Sequence, residues 1–146
     1  MLYIGADHRG FDLKDRIKQF LSAQHIAFKD VGAAAHNSDD DYTDYAAEVG
    51  RAIAANDHDS GVLICANGEG MCMTANKFKH VRGAVAVNEW MAVTSKEDDH
   101  TNVLCLPAEM LSADAAERII AAWLAAQPKT EEKYMRRLEK LRRIEE

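Results

Sequence analysis

A thiol, a glycine-rich turn and a helix start follow one another in Cys65-Ala-Asn-Gly-Glu-Gly-Met-Cys-Met-Thr-Ala-Asn-Lys77. That order suits chemistry in which a base removes a proton and the anion left behind is stabilised. Gly61-Val-Leu-Ile-Cys65 is apolar and rich in β-branched types, which predicts a buried strand with Cys65 at its C-terminal end. Gly68 and Gly70 let the backbone turn tightly and approach a ligand, and a helix beginning near Met71 aims free N–H groups at the same point. A thiol near a helix N-terminus ionises more readily, which suits a base in this place. Free cysteine is more commonly a small buried hydrophobe, which is the reading for Cys72 and Cys105. For Cys65 the residues alone leave both readings open.

Elements must hold this loop in place, and the chain has enough material to build them. Its 146 residues suffice for one domain with a core that needs neither disulfide nor metal. The three cysteines are an odd number, and their spacings are not those of zinc ligands, which fits a reducing compartment. No apolar run reaches the roughly 18 residues of a membrane span and no signal-peptide pattern opens the chain, so a cytoplasmic location is expected. The net charge of −6 speaks against nucleic-acid binding.

Strand-like and helix-like segments alternate. Leu2–Ala6, Ile26–Val31, Gly61–Cys65, Gly83–Val87 and Asn102–Leu106 read as strands. Leu13, Ile17, Phe20 and Leu21 share a face of a first helix over 10–23, and Tyr45, Val49 and Ile53 recur at helical spacing after a polar loop at His36–Tyr42. Ser112 caps a helix that turns Ile119, Ile120, Trp123 and Leu124 to the sheet and that ends before Pro128. Thr130 opens a last amphipathic helix with an apolar stripe of Tyr134, Leu138, Leu141 and Ile144 among many cations. The pattern predicts a single α/β domain over residues 1–146, a Rossmann-like, doubly wound, five-stranded parallel sheet with a C-terminal helix that reaches towards a neighbouring subunit.

Ligands of such folds sit beyond the C-terminal ends of the strands. Gly5-Ala-Asp-His-Arg-Gly10 follows the first strand and offers Asp7 and His8 as polar groups. It is not a P-loop, and neither glycine loop reads GxGxxG, so a nucleotide is not indicated. A third loop, Lys96-Glu-Asp-Asp-His-Thr-Asn102, is the most polar of the set.

Gly5-Ala-Asp-His-Arg-Gly10, Leu63-Ile-Cys65 with its glycine turn, Ala75-Asn-Lys77 and Thr101-Asn-Val-Leu104 together resemble the ribose-5-phosphate isomerase type B family, which includes the galactose-6-phosphate isomerase subunits. The resemblance spans nearly the whole chain. It implies interconversion of an aldose phosphate and a ketose phosphate through a cis-enediolate, with no cofactor and no metal, by a homodimer or homotetramer whose sites are shared between subunits. It implies Cys65 as the base, and Asn67, Gly68 and Gly70 as the anion hole. It also implies Asp7 as an acceptor for sugar hydroxyls and His8 as a phosphate or ring-oxygen partner, with the Asp41–Tyr42 segment nearby.

The departures from the family's pattern bear on the substrate. Asn67 stands where a hydroxyl residue is usual, and donates an N–H without relaying a proton. Asp98 and Asp99 stand where the family has the His-Asn pair that opens the sugar ring and binds substrate, with His100 two positions on. Ring opening then falls to Asp98 or to His8. The family's two C-terminal arginines fall on Lys133 and Arg137, so one bidentate fork becomes a point charge. An arginine that reaches the other subunit's phosphate falls on Glu109, a charge reversal that Arg9, Arg136 or Arg142 would have to offset. Two functions are open: isomerisation of ribose 5-phosphate or of another tetrose, pentose or hexose phosphate, and a diverged sugar-phosphate-binding module with weak catalysis. An open-chain substrate would need no ring opening at all.

Overall fold

The apolar runs become strands and the 3.6-periodic segments become helices in the computed structural model, which describes residues 1–145. In chain order these are β1 (Leu2–Ala6), α1 (Phe11–Ala23), β2 (Phe28–Asp30), α2 (Tyr42–Ala55), β3 (Ser60–Cys65) and α3 (Glu69–Ala75). There follow β4 (Gly83–Val85), α4 (Glu89–Asp99), β5 (Val103–Pro107), α5 (Ala113–Ala125) and α6 (Glu132–Ile144). The strands form one sheet in the order β2-β1-β3-β5-β4, every neighbouring pair parallel. β5 is buried throughout because it lies inside the sheet, leaving short β4 at the edge.

Strand alternation sends side chains to two faces, and each face has its own helices. Ile4, Val62, Ile64 and Leu104 meet Ile17 of α1, Ala92 of α4, and Ile119 and Trp123 of α5. Leu63, Val103 and Cys105 meet Val49 and Ile53 of α2 and Met71 and Ala75 of α3. The fold is therefore the doubly wound α/β arrangement that the alternation predicted. At about 25 cal/mol per Å² of apolar surface, burying one such Ile or Leu contributes roughly 2 kcal/mol.

Boundaries shift where local hydrogen bonds intervene. β2 and β4 are shorter than the apolar runs suggested because each is an edge strand with a single neighbour. Past β2 the chain still tracks β1, through Ala6 N–H to Gly32 O at 2.8 Å and Ala33 N–H to Ala6 O at 2.7 Å. α3 starts at Glu69, two residues before Met71, because Asn67 Oδ1 accepts the Glu69 N–H and Gly68 takes a φ of 78°. α6 starts at Glu132 because Lys129 is pinned by its N–H to Glu97 O at 2.8 Å. Ser112 caps α5 as its sequence indicated, accepting from Ala115 N–H at 3.2 Å. The α6 stripe gains little burial from its own chain: no residue of the helix is fully buried and Ile144 is 83% exposed.

One buried charge ties α1 to the sheet. Lys14 is 1% exposed, and its Nζ donates to Asp30 Oδ1 at 2.8 Å and to Ala33 O at 2.6 Å. Burial pushes the Asp30 carboxyl up, but its bonds from Lys14 and Lys18 outweigh that and hold it below the usual carboxylate range. A depressed folded value means stability present above the ordinary carboxylate pKa and lost as pH falls through the folded one. Asp30→Ala leaves the buried ammonium unpaired and is expected to cost about 3 kcal/mol in urea unfolding at neutral pH. That difference from the unmodified protein should shrink as pH falls below the ordinary carboxylate range.

Candidate active site

Three strand ends meet at one edge of the sheet. The register pairs Ala6 with Ile64 and Cys65 with Pro107. Parallel neighbours lie about 4.8 Å apart, so Asp7, Cys65 and Pro107 stand in a row.

The turn after β1 is organised by Asp7, which is 5% exposed. Its Oδ1 accepts the N–H groups of Arg9 and Gly10, each at 3.0 Å, so one carboxylate oxygen is committed to the turn. The other makes no hydrogen bond among the described residues. A Cβ on Gly10 would lie 2.2 Å from the Ile64 carbonyl oxygen. Only glycine lets the turn lie flush against the end of β3 and keep Asp7 and His8 at the same edge as the thiol.

Cys65 is buried, with Sγ 4.0 Å from Asn67 Oδ1. The same oxygen accepts the Glu69 N–H at 3.1 Å. A backbone N–H can only donate, so the amide nitrogen of Asn67 faces the other way and remains available to an oxyanion. Gly70 lies under Tyr42, where a Cβ would come within 2.8 Å of Cζ, so the Asp41–Tyr42 segment does border the turn. Tyr45 packs against Gly32. Cys72 and Cys105 are buried in the core behind this edge. Donation to Cys72 and full burial push the Cys105 thiol up.

His8 has a partner that sequence reasoning missed. Asp40 Oδ1 accepts the His8 backbone N–H at 3.1 Å and meets its ring Nδ1 at 2.7 Å. The Asp40 side chain is 5% exposed, although its loop is polar enough to read as solvated. Burial pushes that carboxyl up, but the His8 ring and N–H, with the Tyr45 hydroxyl, outweigh it and hold it below the usual range. Asp40 sits in a run of three aspartates, and nothing in that run marks the one that turns inward.

The charge reversal at position 109 is matched in space. Arg9 Nη2 pairs with Glu109 Oε1, joining the loops after β1 and β5. Glu109 also donates its N–H to Ala66 O at 3.0 Å, next to Cys65. The anion is thus neutralised within its own chain.

The other expected site residues lie at the opposite edge. Asn102 O accepts the N–H of Gly61 at the start of β3, four residues and about 13 Å from Cys65 along the strand. Asp98 and Asp99 end α4 just before that point. Asp98 Oδ1 takes Lys129 Nζ at 2.7 Å. His100 closes α4 in the left-handed region at φ 51° and joins Nε2 to Lys129 O at 2.7 Å. Lys133 and Arg137 flank the Tyr134 ring at 4.8 and 6.0 Å and have no carboxylate partner among the described residues. By contrast Arg136 pairs with Glu132, and Arg142 and Arg143 pair with Glu139. A single chain therefore brings together Cys65, Asn67, Gly68, Gly70, Asp7 and His8, and does not bring Asp98, Asp99, Lys133 and Arg137 to them.

A doubly wound sheet with a thiol over a glycine turn at its carboxyl edge is an α/β fold with a candidate base where such folds bind their ligands. The chain belongs to the Ribose/Galactose Isomerase family, whose pattern matches residues 2–141. It is 36% identical over 123 residues to ribose-5-phosphate isomerase B of Escherichia coli, covering 84% of this chain and 82% of that protein. It is 32% identical to a D-erythrulose-4-phosphate isomerase of Pectobacterium atrosepticum, covering 85% and 82%. The crystal structure of ribose-5-phosphate isomerase B from Mycoplasma genitalium with bound ribulose-5-phosphate superposes with a TM-score of 0.95 at 34% identity, covering 99% of this chain and 95% of that one. The chain is an aldose-ketose isomerase by membership. No helix of the described residues is long and apolar enough to cross a membrane.

Arg9 and Glu109 are each about half exposed, and exposed ion pairs contribute little to stability. Arg9→Ala and Glu109→Gln are each expected to change the unfolding free energy by less than about 1 kcal/mol in urea titrations. Any change in substrate KM they cause then reports charge at the mouth of the site.

Proposed function

We propose that the chain interconverts ribose 5-phosphate and ribulose 5-phosphate through a cis-enediolate, with Cys65 as the base. It does so as a single domain over residues 1–146, without an organic cofactor, in the cytoplasm. The Cys65 thiolate takes the proton from the carbon beside the carbonyl, and the electron pair moves to the carbonyl oxygen. The thiol then returns that proton to the former carbonyl carbon, while the hydroxyl on the deprotonated carbon passes its proton to the first oxygen and becomes the new carbonyl. The Asn67 amide and the backbone at Gly68 and Gly70 face the developing charge, and such donors contribute about 3 kcal/mol each in a dry site. The observation that carries this reading is the position of Cys65, on Asn67 Oδ1 at 4.0 Å and in register beside Asp7 at the carboxyl edge.

A phosphate needs more cations than this edge offers, since Arg9 is paired with Glu109. Lys133 and Arg137 have no carboxylate partner among the described residues and sit at the far edge, so they serve the Cys65 centre of a second copy in a homodimer or homotetramer. Asp98 and Asp99 would enter with them. The exposed α6 stripe gives that copy an apolar surface to cover.

One observation favours a second substrate. Asp98, which stands where a ring-opening group is expected, has an oxygen occupied by Lys129. An open-chain sugar phosphate, a tetrose phosphate for instance, would not need that group. Purified protein in D2O with a panel of sugar phosphates separates these readings. Deuterium should enter the carbon beside the carbonyl of ribulose 5-phosphate, and Cys65→Ala should slow entry at least about 100-fold. Exchange that survives Cys65→Ala removes the thiol from the mechanism, and exchange confined to a tetrose phosphate reassigns the substrate. A chain that exchanges none of them is a binding module.

A further inference from the structure

A furanose phosphate must open before its carbon can be deprotonated, and the two groups at the far edge suited to this are engaged elsewhere. Asp98 holds Lys129 at 2.7 Å, and His100 spends Nε2 on Lys129 O at 2.7 Å while closing α4. At the Cys65 edge stands one imidazole fixed from behind. Asp40 Oδ1 holds both the backbone N–H and the ring Nδ1 of His8, which sets the tilt of the ring and directs a proton to Nδ1. Nε2 makes no hydrogen bond among the described residues, and the His8 side chain is 27% exposed, so that nitrogen is open to a ligand. Asp40 Oδ2 is buried with no hydrogen-bond partner within bonding distance among the described residues. The carboxylate is thus a buried anion that spends its two short hydrogen bonds on His8, with the Tyr45 hydroxyl turned towards it.

We infer that His8, oriented by Asp40, opens the sugar ring ahead of enolisation, an inference that rests on the isomerase reading above. Nε2 takes the proton of the anomeric hydroxyl. The O–H pair forms the C1 carbonyl, the bond from C1 to the ring oxygen breaks with its electrons on that oxygen, and the ring oxygen takes the proton back from Nε2. The aldehyde and the new hydroxyl account for every atom, and no co-reactant is required. Asp40 stabilises the imidazolium that exists between the two transfers, the part a carboxylate plays behind a catalytic histidine. His8 is the catalytic residue of this step and Asp40 is its positioning residue. The adjacent register of β1 and β3 then lets the carbon beside the freed carbonyl reach the thiol without the substrate leaving the edge.

The role is separable from enolisation because ribulose 5-phosphate, with its C5 oxygen phosphorylated, cannot close a furanose ring. The experiment compares two readouts on the full chain: turnover of ribose 5-phosphate, and deuterium entry at C1 of ribulose 5-phosphate in D2O. His8→Gln and Asp40→Ala are expected to lower kcat for ribose 5-phosphate by about 100-fold and to slow deuterium entry far less. Asp40→Asn, which keeps an acceptor for the ring, should recover part of the loss. Thermal melts of each variant identify any that fail to fold, and Asp40→Asn then carries the comparison. Equal losses in both readouts overturn the inference and make the pair structural. A rise in KM and in the inhibition constant for inorganic phosphate, with kcat unchanged, overturns it in favour of a phosphate anchor. If the unmodified protein exchanges neither sugar, the isomerase reading itself fails, a result distinct from both.

Discussion

The contact on which the site depends is the one between Gly10 and the Ile64 carbonyl near the end of β3. With 2.2 Å from a would-be Cβ to the Ile64 oxygen, any side chain at position 10 would force the first loop away from the sheet. Asp7 caps that loop with a single oxygen, and the parallel register of β1 with β3 carries it one step past Ala6 and Ile64. These constraints are backbone constraints, which is why side chains of little bulk carry them. They place a carboxylate, an imidazole and a thiol within reach of one small molecule before any of the three has a chemical role.

Charge at this edge is arranged in pairs. Arg9 with Glu109, and His8 with Asp40, each join a residue of the first loop to a carboxylate from elsewhere in the chain. The first pair is exposed and its Coulomb energy is screened; the second is largely withdrawn from water and its geometry is fixed. Only the second can set a proton's position. Lys133 and Arg137, at the opposite edge, are the complement: cations with no carboxylate partner among the described residues. Tyr134 lies between them and holds both by its ring face rather than by an anion, which leaves their hydrogen-bond donors available.

Hydrophobic periodicity made the sheet and the helices readable, because burial on two faces leaves a direct trace in residue type. Cys65 and the glycines of its loop were readable for a similar reason: a strand end, a tight turn and a helix start each require particular residues in sequence. Asp40 was not, because a run of aspartates looks solvated and only the fold decides which one turns inward to His8. The Arg9–Glu109 pair was half visible. Each residue could be picked out as unusual, but 100 residues of chain separate them and the pairing is a property of the sheet order. The split of the site between two edges also escaped the sequence. Asp98 is a short step from Asn102 in the chain, yet α4 delivers it to the amino edge of a parallel sheet whose thiol lies at the other.

That split follows from parallel topology rather than from any one residue. In a parallel sheet every crossover helix begins at the carboxyl edge and ends at the amino edge, so the end of α4 and the thiol at the end of β3 are necessarily separated by the length of a strand. Within one chain the amino-edge cluster is separate from the Cys65 edge: Lys129 pairs with Asp98 a strand's length from the thiol. The carboxyl edge has less freedom, since Asp7 caps its own loop, His8 is held by Asp40, Asn67 meets Cys65 and Gly68 lies against Leu106 and Pro107 of β5. The loops at the carboxyl edge are consequently the part of the candidate site that the fold of a single chain constrains most tightly. Ring opening by a group from the amino edge would require a second chain, whereas an imidazole already at the carboxyl edge needs only a carboxylate behind it, and Asp40 occupies that place.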